Sequence, residues 1–128
     1  ELDTDNERVL QNVSQALRPR GRFLIDFLNE SFIRATLKRQ SVERTPQGQS
    51  VHVRRSIEGA SPRVVKRMAL ETGAGPIEIV ESVRLFTRDE LTAMLERSGL
   101  RVTKSWGDFC DRRAGEMAPR CILLAEKC

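Results

Sequence analysis

The 128-residue sequence predicts a mixed α/β fold, and three observations carry that reading. A short apolar run, Phe23-Leu24-Ile25-Asp26-Phe27-Leu28, lies between two segments of helical periodicity. Three stretches of strand character fill residues 51–85, joined by the turn-rich connections Gly59-Ala60-Ser61-Pro62 and Gly73-Ala74-Gly75-Pro76. A helix signed at both ends, 88–98, then leads directly into an alternating strand.

Residues 5–18 read as an amphipathic helix. Val9, Leu10, Val13, Ala16 and Leu17 recur on one face of a 3.6-residue period, and Asp3, Thr4 and Asp5 suit its amino end. Pro19 stops it and Gly21 permits a reversal. The apolar run at 23–28 has no alternation, the pattern of a strand buried on both faces. A second helix is expected over 30–40, with Asn29 as its cap and Phe32, Ile33 and Leu37 on one side. Residues 41–50 read as a polar loop.

Strands at 51–58, 63–70 and 77–85 then predict a three-stranded antiparallel meander. Thr87-Arg88-Asp89-Glu90 is a capping box, flanked by Phe86 and Leu91 at the positions of a hydrophobic staple. Gly99 supplies the helix stop. Residues 100–106 alternate as a strand, 107–119 form a polar loop, and Cys121-Ile122-Leu123-Leu124-Ala125 is the core of a last strand.

Composition narrows the function classes. An apolar fraction of 39% with 31% charged residues fits one globular domain with one core. No apolar run approaches the roughly 18–20 residues of a membrane span, so no membrane partner is expected. Cys110, Cys121 and Cys128 are an odd number without metal-ligand spacing. They argue against a disulfide scaffold or a metal site and fit a reducing, cytoplasmic compartment. Between Arg34 and Arg67, nine basic residues face two acidic ones, Glu43 and Glu58. That excess is the argument for an alternative class, a non-enzymatic basic nucleic-acid-binding module. Against it, residues 41–76 contain no aromatic side chain on which a base could stack.

The order helix, Leu17-Arg18-Pro19-Arg20-Gly21, apolar strand resembles the second half of the class I S-adenosylmethionine-dependent methyltransferases. There a helix ends in a Leu-Lys/Arg-Pro-Gly-Gly turn and leads into the fifth strand of a Rossmann-like sheet. Arg20 stands here for the first glycine, at a cost of about 1 kcal/mol if it takes a left-handed backbone. The set Arg84-Leu85-Phe86-Thr87, Ser98-Gly99-Leu100, Trp106-Gly107-Asp108-Phe109 and Pro119-Arg120-Cys121 is similar to the closing region of bacterial small-molecule members.

The resemblance implies that residues 1–128 are the C-terminal half of one such domain, with 51–85 inserted as an antiparallel meander. It implies the spatial strand order 22–28, 120–126, 100–106, with the last strand antiparallel between its neighbours. It also implies S-adenosylmethionine as cofactor of the parent protein, and a small-molecule substrate. The glycine-rich loop and the ribose-binding acid of the family have no counterpart in the chain, so the fragment alone is expected to be inactive and assigns no cofactor-binding residue. Cutting such a sheet before its fifth strand would open the edge of 23–28 and the apolar face of helix 5–18. Self-association is therefore expected.

Candidate substrate-binding residues are Asp26, Asn29 and Arg84. Asp26 and Asn29 lie near the carboxyl end of a sheet strand, where open α/β sheets bind ligands. The alternatives are a backbone-bonded carboxylate for Asp26 and a helix cap for Asn29. Arg84 would meet an anionic group on the substrate or pair with Glu81 or Asp89. His52 is expected on a solvated strand face, and Cys121 as an inert buried thiol. Trp106 and Phe109 are pocket walls or core. No catalytic residue is assigned.

Overall fold

A computed structural model describes residues 3–110 and 113–128; residues 111–112, within the predicted loop 107–119, lie outside the described residues. The elements run α1 (Asp3–Ala16), β1 (Arg22–Leu28), α2 (Glu30–Thr36), β2 (Gln40–Arg44), β3 (Ser50–Glu58), β4 (Arg63–Thr72), β5 (Gly75–Arg84), α3 (Arg88–Arg97), β6 (Leu100–Trp106) and β7 (Arg120–Lys127). They fall into two units, one built from residues 1–33 and 86–128, the other from 34–85.

The first unit holds a three-stranded sheet of order β1-β7-β6. β7 is antiparallel to both neighbours, so β1 and β6 run parallel to each other without pairing. This is the strand order expected from the sequence. An interior strand has both edges hydrogen-bonded and both faces available for burial, which suits Cys121, Ile122, Leu123 and Ala125, all buried. Cys121, Leu123 and Ala125 join Leu10, Phe86, Leu91, Met94, Leu95 and Leu100 in one core cluster, with Phe23, Ile25 and Phe27 packed against it. Helices α1 and α3 thus cover one face of the sheet.

β1 departs from expectation. It is not buried on both faces: Phe23, Ile25 and Phe27 face the core, whereas Leu24 is 55% exposed and Asp26 is exposed. Among the described residues no helix contributes to a core on that second face. An apolar run is ambiguous about how many of its faces are covered, because hydropathy does not record the neighbours. Most of the apolar face of α1 is likewise covered. Leu10 is buried, Val13 and Leu17 pack on the core, and Val9 and Ala16 stay out.

The turn between α1 and β1 takes the conformation that the sequence made costly. Arg20 has φ 62°, and Gly21 N–H donates to the Arg18 carbonyl at 2.8 Å. Pro19 before Arg20 fits the turn type whose third position needs positive φ. Helix α3 begins as its sequence predicts. Thr87 Oγ1 accepts from Glu90 N–H at 3.1 Å, the Glu90 carboxylate accepts from Thr87 N–H at 2.8 Å, and Phe86 and Leu91 are both buried. Gly99, at φ 78°, ends it.

The second unit is a four-stranded antiparallel sheet of order β2-β3-β4-β5, not the three-stranded meander expected over 51–85. The added strand, β2, lies in what the sequence presented as the end of helix 30–40 and the polar loop 41–50. Val42 is its one apolar residue, so its hydropathy is that of a loop. The ladder decides instead. Gln40 to Arg44 pair with Arg54 to Ser50, and Arg55 N–H donates to the Arg39 carbonyl at 2.7 Å. Drawing residues 39–44 into that ladder ends α2 at Thr36. A short, polar edge strand also guards a sheet against further pairing.

The two-sided difference along the sheet is testable. Leu123→Ala should destabilise the chain by about 3 kcal/mol, as a fully buried leucine does, and Leu24→Ala by under about 1 kcal/mol. Urea unfolding followed by far-ultraviolet circular dichroism measures both. Equal effects would contradict the one-sided core.

Candidate functional site

The first unit gathers polar side chains at the carboxyl end of β1. β7 is antiparallel to β1, so its start lies beside the end of β1, with Leu28 opposite Arg120 and Phe27 opposite Cys121. The amino end of α3 and the segment 113–118 complete the rim. Between them is a cleft of about 280 Å³ lined by Asn29, Thr87, Arg88, Asp89, Arg120 and Cys121, among others. Glu30 and Glu116 add carboxylates to the same lining. A cleft bearing both guanidinium and carboxylate groups at the carboxyl end of a strand has the position and chemistry of a small-molecule site in open α/β sheets.

Asn29 lines this cleft, and its amide holds the wall. Nδ2 donates to the carbonyls of Gly115 at 2.8 Å and Ala118 at 2.6 Å, with a longer contact to Glu116 at 3.3 Å. The backbone carbonyl of Asn29 accepts from Ile33 N–H at 3.0 Å, opening α2. One residue therefore both starts a helix and ties a loop 86 to 89 positions away in sequence. The loop is closed from its other side by a close approach. A Cβ on Gly107 would stand 2.4 Å from the Ala118 Cβ and 2.7 Å from the Arg113 carbonyl oxygen, so only glycine fits there.

Asp26 accepts from Arg120 Nε at 2.5 Å across the sheet. Arg120 also lies over the ring of Phe109, with 5.9 Å to the centroid, and Phe109 is itself 76% exposed. Asp26 thereby orients a guanidinium that lines the cleft. Arg84 lies in the second unit, buried at the end of β5. It donates to the carbonyl oxygens of Leu85 and Pro62. The structure thus brings Asp26 and Asn29 to one end of one sheet, with Arg84 in the other unit.

Arg88, Arg120 and the segment 113–118 are cleft elements that sequence reading did not single out. Thr87 was legible only as a cap. The signal available was positional: a strand expected to start beside the end of β1 must bring its first residue, Arg120, there as well.

Cys121 is buried at the inner wall of this cleft. Burial pushes its thiol above the ordinary 9.0; Arg88 nearby opposes that and Asp26 adds to it. The three thiols are free, with Cys110 and Cys128 exposed. Among the described residues no cluster of His, Cys, Asp or Glu could hold a metal ion, and no described helix is long and apolar enough to cross a membrane.

No protein-family model matches the chain, and no curated protein matches it. Solved structures do. The methyltransferase CcbJ from Streptomyces caelestis superposes with a TM-score of 0.78 at 14% identity, over 98% of this chain and 54% of its own. An S-adenosylmethionine-dependent methyltransferase from Clostridium acetobutylicum gives 0.73 at 12% identity, over 97% and 51%. CalS10, an amino pentose methyltransferase from Micromonospora echinaspora, gives 0.59 at 19% identity, over 100% and 52%. The chain spans about half the length of each of these structures. At these identities the likeness is one of fold: a mixed α/β chain with antiparallel sheets that matches about half of a methyltransferase fold.

Two measurements check the site. Asn29→Asp should loosen the segment 115–118 more than Asn29→Ala does, since it replaces a donor facing carbonyls by a further acceptor; amide hydrogen exchange reports it. Alkylation of the native chain should modify Cys110 and Cys128 and spare Cys121. The raised Cys121 value also has a stability consequence. The unfolded chain gives up the proton first, so this contribution is intact below about pH 8 and declines as pH rises through the ordinary thiol range toward the raised value. Cys121→Ala should remove that alkaline decline in urea midpoints.

Proposed function

We propose that this chain is the C-terminal part of a class I methyltransferase domain whose parent transfers a methyl group from S-adenosylmethionine to a small polar molecule. The observation that carries the reading is the sheet order β1-β7-β6 with β7 antiparallel between two mutually parallel strands. A superposition covering 98% of the chain on a methyltransferase supports it. In this reading β1, β6 and β7 are the fifth, sixth and seventh strands of a Rossmann-like sheet. The four-stranded sheet of residues 40–84 is an insertion in it, and the parent is cytoplasmic.

The sequence has no glycine-rich turn leading into a helix of the kind that cradles this cofactor in the family. The single Gly-x-Gly spacing, Gly73-Ala74-Gly75, makes the tip of the β4–β5 hairpin, where Thr72 Oγ1 bonds the Gly75 carbonyl at 2.6 Å. It precedes a strand, not a helix whose amino end could face an anionic group. What the chain supplies in this proposal is the acceptor side.

The work of that side is positioning. Methyl transfer needs an acceptor lone pair in line with the breaking bond, and water kept out. Thr87 and Arg120 line a cleft that offers hydroxyl and guanidinium groups to such an acceptor, Asn29 holds its wall, and Asp89 offers a carboxylate to an amine on it. CalS10 acts on an amino pentose, a molecule of that polarity. Asp26 acts through Arg120, whose direction it sets. Self-association of the chain alone is part of the proposal, because β1 pairs only with β7 among the described residues.

Calorimetric titration tests the reading in two arms. Residues 1–128 alone should show no measurable binding of S-adenosylmethionine, whereas the chain extended by the coding sequence upstream of Glu1 should bind it in the micromolar range typical of enzyme ligands. Micromolar binding by the chain alone, or none by the extended chain, overturns the proposal.

A further inference from the structure

We propose that the face of the four-stranded sheet around Arg54 binds a phosphoryl group of a small molecule. The starting point is the ladder. Two successive rungs between β3 and β4 set cation opposite cation, Arg54 against Arg67 and Arg55 against Lys66. Like charges directly opposite on a sheet are destabilising, so such rungs persist where something offsets them.

For three of the four cations the offset is visible. Arg55 pairs with Glu43 at 2.7 Å and donates to Ser41 Oγ at 2.9 Å. Arg67 pairs with Glu58 at 2.7 Å. Lys66 stands opposite Glu81 on the next ladder. The two carboxylates in direct ion pairs, Glu43 and Glu58, are both held below their ordinary range by the guanidinium each accepts from. Arg54 is the exception: among the described residues its guanidinium has no ion pair and no hydrogen bond. Arg39, just before β2, where its carbonyl accepts from Arg55 N–H, has a guanidinium in the same condition.

Both line one hollow of about 460 Å³, formed by Arg39, Gln40, Arg54, Arg55, Ser56 and Arg67. Four of its six lining residues are arginines and none is acidic. A second hollow of about 370 Å³ shares Gln40, Arg54 and Arg67 and extends to Val42, His52, Ala69 and Glu78. The single carboxylate of that extension, Glu78, sits on the Ala69 rung, and its charge reaches Arg67, whereas Arg54 and Arg39 have no carboxylate partner among the described residues.

The chemistry of the hollow selects the ligand. A guanidinium presents a planar fork of donors that matches the oxygens of a phosphoryl group, and two free guanidinium groups beside an amide match a diphosphate. The combined size is that of a small-molecule site. A nucleic-acid strand fits less well, since no Phe, Trp or Tyr occurs between residues 34 and 85 to stack a base.

The test is calorimetry of the 128-residue chain with inorganic diphosphate at low ionic strength, with inorganic phosphate and an oligothymidine as further arms. Diphosphate should bind more tightly than phosphate. Arg54→Gln should weaken it by roughly tenfold or more, and Arg54→Lys should recover only part, because the fork is lost while the charge is kept. Lys104→Gln, in the other unit, should leave it unchanged. Should Arg54→Gln fail to fold by circular dichroism, Arg39→Gln carries the same expectation. Absence of diphosphate binding, equal effects of Arg54→Gln and Lys104→Gln, or tighter binding of the oligothymidine would overturn the proposal.

Discussion

The first unit is organised by the interior position of β7. An interior strand must satisfy hydrogen bonds on both edges and tolerate burial on both faces, which confines it to a run such as Cys121-Ile122-Leu123-Leu124-Ala125. Once it lies between β1 and β6, antiparallel to each, the rest is constrained. Helices α1 and α3 have to cover the face that carries Cys121, Leu123 and Ala125. Arg120, the first residue of the strand, has to arrive beside the end of β1. The cleft is therefore a consequence of strand order before it is a matter of side chains.

That dependence explains what the sequence disclosed and what it withheld. The order β1-β7-β6 was legible through the resemblance carried by the ordered segments from Leu17 to Cys121, and it agrees with the unbroken apolar run 121–125, which suits an interior strand. The capping box at Thr87 was legible from local pattern, being four residues long. β2 was not. Its stability comes from pairing with β3, and from Arg55 reaching Ser41 and Glu43, none of which appears in the hydropathy of 40–44. The one-sided exposure of β1 was hidden in the same way, since Leu24 and Ile25 are alike in sequence and differ only in what covers them.

The candidate residues divide along the same line. Asn29 was legible as a polar residue at a strand end, but its amide serves carbonyls nearly ninety positions away, which no spacing rule reports. Asp26 was expected to bond a nearby backbone or a ligand; its partner is Arg120, 94 residues on. Arg84 was expected at an anionic ligand or a carboxylate; from a buried position it donates to the carbonyls of Leu85 and Pro62. Position along the chain was readable in all three cases. The partner was not, because partners are set by register.

Charge shows the reverse case, where sequence carried more than position. The basic excess of residues 34–67 is a property of composition, and composition alone leaves it as a solvated face. The ladder register changes its meaning. It pairs cations across β3 and β4, and most of the strain is relieved by the carboxylates of Glu43 on β2, Glu58 at the end of β3 and Glu81 on β5. A sheet that had merely tolerated surplus charge would spread it, since surface ion pairs contribute little individually and are easily rearranged. Here, among the described residues, Arg54 and Arg39 are left without a counter-charge beside one hollow that has no acidic lining residue. An arrangement of that kind has a physical use only when a counter-charge comes from outside the chain, which makes the register of two strands, and not the net charge, the reason to look for an anion there.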